Sequence, residues 1–280
     1  MVIVILLMVI LYTSIISCTP QKLDLILVFN PKVKDEYDFS EIKAPQGSWS
    51  FFWITNGSVS TCAFKINRKT GINDDLSNVV VVFLHGNRTC LDDSPVYFGN
   101  MFYELGINYV AVEYRGFGII KNFTPTEQST YEDAEAIIAH LSNQGINPTN
   151  ITIIGHSLGG GIATEMALRH KIKSLILIST FTKIEDAGEM VTTYNVPSRW
   201  YVESIYDNIS KIDKIQDPLL VIHGKVDTTL SIDYGIALYN KAKEPKDYLW
   251  IENCNHSSKE IINKGGDELR NKIVSFLRNH

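Results

Sequence analysis

The spacing of apolar and polar residues changes period along this chain, and each change predicts an element. SWSFFWITNGSVSTCAFKI (48–66) carries two β-rich runs around Asn56-Gly57, the signal of a hairpin. Residues 79–84 (VVVVFL) are apolar throughout, as in a strand covered on both faces, and INYVAVEY at 107–114 gives another strand. STYEDAEAIIAHLSNQG reads instead as a helix: Ala134, Ile137, Ile138 and Leu141 recur at helical spacing and Gly145 closes it. The same reading places strands at 150–155, 173–179, 217–223 and 247–252, and helices at 158–170, 231–243 and 260–278. Strands alternating with helices after a hairpin predict an α/β fold. Its sheet is mostly parallel with an antiparallel hairpin at the start, and helices cover both faces.

Residues 181–216 fit this alternation least well. They are rich in Tyr and Trp and fall on the rim where open α/β sheets bind ligands. A short lid insert and a ragged crossover helix are equal alternatives there. Residues 48–280 are accounted for by one domain, and 19–47, mixing charge and proline, read as a tether leading into it.

The first 18 residues, MVIVILLMVILYTSIISC, contain no charged side chain. Their apolar run falls short of the roughly 20 residues of a spanning helix and matches the core of a signal peptide. Ile15-Ile16-Ser17-Cys18 resembles the box that precedes the lipidated cysteine of bacterial lipoproteins, which would make Cys18 an acylated N-terminus. An export segment, with the protein membrane-associated or exported, is favoured. The alternatives are an uncleaved anchor facing the cytosol or a buried first strand.

Composition mainly excludes. With 45% hydrophobic and 20% charged residues the chain is globular, and a net charge of −5 without a Lys/Arg run argues against a nucleic-acid binder. Cys18, Cys62, Cys90 and Cys254 are scattered, with no CxxC and no HExxH, so no metal site is expected. Buried thiols are preferred over a Cys62–Cys90 disulfide. Sequons at Asn56, Asn87, Asn122, Asn150, Asn208 and Asn255 are weak evidence for glycosylation, because an Asn- and Ser-rich chain makes them by chance.

The chemistry concentrates in ITIIGHSLGGGIATEMA, residues 151–167, where a strand becomes a helix through a serine among glycines. A phosphate loop fails by spelling. Counted from Gly155, the Walker pattern reaches Gly160 but meets Gly161 where lysine must stand; counted from Gly159, the dinucleotide pattern ends on Thr164. The nucleophile-elbow pattern G-x-S-x-G is met by Gly155, Ser157 and Gly159 in the required context. Chance alone gives on the order of a tenth of such a match in this length, so partners must decide.

Those partners follow in the order acid, then histidine. Asp227 lies just past a strand in LLVIHGKVDTTLS and His256 just past the last strand in LWIENCNHSSKE, on the same rim as Ser157. Asp227 would accept from Nδ1 of the imidazole, leaving Nε2 to take the proton of Ser157. An oxyanion hole is expected from the backbone N–H groups of Leu158 and of Asn87, with Gly86 letting the chain approach substrate. His85 reads as a loop-packing histidine.

FLHGN, VEYRGFG, TYEDAEA, IIGHSLGG, LLVIHGKVD and NCNH appear in the order found in α/β-hydrolases, so the chain resembles that superfamily from about residue 48 to its end. The last third is most similar to the compact branch holding membrane-associated depalmitoylases and serine-aminopeptidase-like proteins. The resemblance implies a Ser157–His256–Asp227 triad, with Arg115 and Asp133 as supports of the active-site loops. The cysteine-rich N-terminus of the depalmitoylases is missing, only Cys18 standing there, so their substrates do not carry over. The expected activity is that of a serine esterase or thioesterase using no cofactor. It would act on a small-molecule, lipid or acyl substrate, an acylated protein among them. Phe181, Tyr194, Trp200 and Tyr201 would give the lid an apolar inner face. A peptidase and a non-catalytic binding module are the alternatives.

Overall fold

The computed structural model describes residues 24–186 and 203–280. Residues 1–18 with Cys18, and Tyr194, Trp200 and Tyr201 of the lid segment, lie outside the described residues. Eight strands form one sheet in the order β1-β2-β4-β3-β5-β6-β7-β8. They are β1 (Trp49–Asn56), β2 (Val59–Ile66), β3 (Val80–Leu84), β4 (Asn108–Val112), β5 (Ile151–His156), β6 (Ser174–Ile178), β7 (Leu219–Gly224) and β8 (Lys246–Ile251). β1, β2 and β4 pair antiparallel and every other neighbouring pair is parallel. This is the α/β-hydrolase fold that the sequence predicts.

The central strands are apolar without a gap because both faces are covered. Val80, Val82 and Leu84 enter one core layer and Val81 and Phe83 the other. The first layer is closed by α2 (Glu127–Asn143), α3 (Leu158–Arg169) and α4 (Ile232–Lys241). The second is closed by α1 (Ser94–Glu104) and α5 (Ser258–Asn279). Thr126 caps α2 in a reciprocal pair with Ser129, so the helix starts two residues before the predicted segment.

Several expectations are corrected. The hairpin turns one residue late: Asn56 still pairs with Val59, and Gly57, at φ 61°, takes the first central position, which type II′ turns give to glycine. Helix α1 has no counterpart in the sequence reading. Eight of its residues are buried, and Gly99 lets it press against Ile66 and Tyr109. The closing helix α5 is kinked at Gly266 (φ 49°, ψ −133°).

Residues 24–47 do not behave as a tether. Val28 and Phe29 are in the core, Lys34 N–H donates to Gly118 O, and Lys43 N–H to the side chain of Asn100. The carboxylate of Asp24 accepts from Glu203 N, Ser204 N and Ser204 Oγ at 2.8, 2.8 and 2.7 Å. This segment is thereby fastened to the base of the candidate lid. That base is closed by backbone bonds from Ile184 N to Ile205 O and from Ile209 N to Thr182 O. Phe181 is buried in the core against Tyr206, so it does not line an inner lid face. Cys62, Cys90 and Cys254 are buried free thiols. Among the described residues no helix is long and apolar enough to cross a membrane.

Candidate active site

At the end of β5 the backbone turns at Ser157 with φ 55° and ψ −118°, a conformation rare for a residue with a side chain. Its surroundings force it. Ser157 N–H donates to Ile178 O at 3.0 Å, and Ser157 O accepts from Gly160 N at 2.9 Å and Thr180 Oγ1 at 2.8 Å. The flanking glycines are sterically required. A Cβ on Gly155 would lie 2.3 Å from Gly159 O, and one on Gly159 only 2.0 Å from Leu84 O. Gly160 and Gly161 make room for Thr180 and Tyr206, at 2.2 and 2.6 Å from a built Cβ. They serve side chains of the neighbouring loops, not close packing of the helix on the sheet.

The polar partners come from the loops after β7 and β8. His256 Nε2 lies 3.0 Å from Ser157 Oγ and His256 Nδ1 lies 2.8 Å from Asp227 Oδ2. With Nδ1 donating to a carboxylate, Nε2 is left to accept the serine hydroxyl. Asp227 Oδ1 accepts from Thr229 N and Leu230 N, both at 2.8 Å. Burial opposes ionisation of Asp227, yet hydrogen bonds from His223 and His256 outweigh it and hold the carboxyl well below the usual carboxylate range.

Around these three stands a set of residues that the sequence reading did not assign. His156 Nε2 donates to the carbonyl of His256 at 3.0 Å, and the rings lie 5.3 Å apart. Burial, with His256 beside it, pushes His156 down to about 3, so it stays neutral. Asn255 Oδ1 accepts from Thr228 N at 2.9 Å and from His256 N at 2.8 Å, tying the loop after β7 to the loop after β8. Asn255 N–H donates to Glu260 at 2.8 Å, at the start of α5. His223 Nε2 donates to Leu230 O at 2.9 Å and lies 3.4 Å from Asp227 Oδ2. His156 stood in view inside the elbow motif; the others are joined by contacts that spacing does not reveal.

Of the expected oxyanion donors, Leu158 opens α3 directly after Ser157, and Asn87 sits half-buried in the loop after β3. That loop reaches the elbow: a Cβ on Gly86 would come within 3.1 Å of Ser157 Cβ. Asn87 Nδ2 donates to Val28 O at 3.1 Å, so the packed N-terminal segment braces the loop from outside. Arg115 binds Asp133 through its backbone N–H at 2.8 Å and its Nε at 2.7 Å, and Glu132 through Nη2 at 2.6 Å. This clamps the loop after β4 to α2. Two sequon asparagines, Asn87 and Asn255, are committed to these contacts, and Asn208 is fully buried.

Strand–turn–helix elbow, sheet order and the two rim loops together define a class, and comparison with known proteins agrees with it. The profile of the alpha/beta hydrolase fold matches residues 79–203. The chain is similar to members of the α/β-hydrolase superfamily. It is 28% identical over 200 residues to human alpha/beta hydrolase domain-containing protein 17B, covering 71% of this chain and 67% of the relative. To protein 17C of Xenopus tropicalis it is 26% identical over 231 residues, 82% and 71% of the two chains. Among solved structures it resembles the Pyrococcus furiosus esterase Pf2001, with a TM-score of 0.70, 19% identity, and 90% and 97% of the chains covered. It also resembles a Xanthomonas campestris a/b serine hydrolase without lid, at TM-score 0.62, 14% identity, and 84% and 96% coverage.

Proposed function

We propose that this chain is a serine hydrolase that cleaves carboxylic ester or acyl-thioester bonds. The observation carrying the reading is the unbroken hydrogen-bonded line from Ser157 Oγ through His256 to Asp227, 3.0 and 2.8 Å long. His256 takes the hydroxyl proton as Ser157 attacks the acyl carbonyl. The developing oxyanion is met by the N–H groups of Leu158 and Asn87. Collapse of the tetrahedral intermediate expels the alcohol or thiol, which receives the proton from His256. A water activated by the same imidazole then releases the acid from the acyl-enzyme. Asp227, kept ionised, stabilises the imidazolium of both half-reactions.

An ester or thioester is favoured over a peptide by the esterase among the structural neighbours. The test is a chain-length series of p-nitrophenyl esters and acyl thioesters alongside aminopeptidase substrates, run on the wild type and on Ser157→Ala. Turnover of the esters or thioesters, lost in the variant, supports the reading. Turnover of the aminopeptidase substrates alone makes the protein a peptidase. The uncharged run at residues 1–18 supports a membrane-associated or exported location, checked by fractionating the full chain and a deletion of those residues.

A further inference from the structure

The loop that supplies Asn87 contains a buried polar chain that the acyl-transfer mechanism does not use. His85 follows β3 with its ring wholly buried. Its Nδ1 lies 2.8 Å from Gly86 O and its Nε2 lies 2.7 Å from Glu113 Oε1. Gly86 O, a carbonyl, can only accept, so Nδ1 is assigned as its donor, while Nε2 pairs with the Glu113 carboxyl group. Glu113, equally buried, accepts from Tyr37 Oη at 2.7 Å, Leu91 N at 3.1 Å and Tyr114 N at 3.1 Å. These three donors hold that carboxyl group in one place. The Tyr114 ring lies tilted against the His85 ring, centroids 4.2 Å apart, and its hydroxyl donates to His85 O at 3.0 Å.

The target of His85 gives this chain a meaning beyond loop packing. Gly86 C=O and Asn87 N–H are the two ends of one planar trans peptide, so they point in opposite directions. Glycine at 86 is what lets the backbone approach Ser157, yet a glycine also lets the following peptide plane rotate cheaply. A donor left to rotate costs catalysis, because oxyanion stabilisation depends on donors already aimed before charge develops. Fixing the carbonyl on one side fixes the N–H on the other.

We propose that His85, held by Glu113, is a positioning residue that locks the Gly86–Asn87 peptide so that Asn87 N–H faces the oxyanion. The assignment rests on the serine-hydrolase reading above, and the experiment separates the two. His85→Leu removes the donor to Gly86 O. His85→Asn returns one, since its side-chain N–H can take the place of Nδ1 while the contact with Glu113 is lost. Active sites are counted by fluorophosphonate labelling to completion, and kcat and KM for a p-nitrophenyl ester are measured per labelled site. Ser157→Ala is the control.

The expected result is a fall in kcat of about 100-fold or more in H85L, as for loss of one oxyanion donor, with KM within about threefold. H85N should stay within about tenfold of wild-type kcat. A kcat in H85L within threefold of wild type overturns the proposal, and so does a loss in H85N as deep as that in H85L. If H85L does not fold, H85N alone decides: within tenfold supports the lock and a deeper loss overturns it. If Ser157→Ala still labels and turns over, the serine-hydrolase reading fails first and the lock with it.

Discussion

Ser157 and its two partners are held by different means. At the elbow the constraint is steric: the backbone is so crowded that Gly155 and Gly159 leave no room for a methyl group, and the positive φ of Ser157 follows. Across the rim, Asp227 and His256 are held by polar bonds, through Thr229, Leu230, Asn255, His156 and His223. A crowded site tolerates no added atom but is indifferent to charge. A hydrogen-bonded site has slack in volume and none in donors and acceptors. The two halves should therefore fail under different substitutions.

The largest effect is expected from Asp227→Asn, which keeps the shape and supplies the wrong donor to His256. Loss of about 10⁴-fold in kcat with near-normal thermal stability is the outcome to look for in steady-state assays. Gly159→Ala attacks the other half. A Cβ 2.0 Å from Leu84 O forces the backbone apart, so unfolding in urea should show a loss of about 3 kcal/mol or more, with activity falling alongside. A variant as stable as wild type would remove the steric account of the elbow. Asn255→Ala cuts the tie between the loops after β7 and β8; kcat should drop on the order of tenfold while Tm moves by only a few degrees.

A pH series sharpens the polar half. His156 is held near 3 in the fold against an ordinary 6.5, so below about pH 6.5 the unfolded chain takes up a proton that the folded one refuses. Stability is thus complete above the ordinary histidine range and falls as pH drops toward 3. His156→Gln should flatten that slope by up to about 1.4 kcal/mol per pH unit, read from urea midpoints at successive pH values. Parallel curves for wild type and variant would contradict the assignment. At the far edge of the sheet, exposed Trp53→Ser should shift stability by no more than about 0.5 kcal/mol and leave kcat alone.

The same contrast explains what could be read from the sequence. The elbow is a local device, so Gly155, Ser157 and Gly159 spell it within five residues. The buried parallel strands are likewise written as apolar runs, and Asp227 and His256 follow from where those runs end. Helix α1 was illegible because its eleven residues include Ser94, Pro95, Val96, Gly99 and Asn100 and few strong helix formers. The packed state of residues 24–47 was illegible because Asp24 and Tyr37 find their partners, Ser204 and Glu113, far along the chain. His156, Asn255 and the His85–Glu113 pair act through such distant contacts too, and no spacing rule announces them. A motif shows where attack is expected, while the supports that aim it emerge only once the loops are side by side.

The central claim is that Ser157 is the nucleophile, and covalent capture tests it most directly. The full chain is treated with a fluorophosphonate probe, and the adduct is located by peptide mass mapping in wild type and Ser157→Ala. The account predicts one adduct, on Ser157, absent from the variant. Equal labelling of both proteins, or an adduct on another residue, would contradict it.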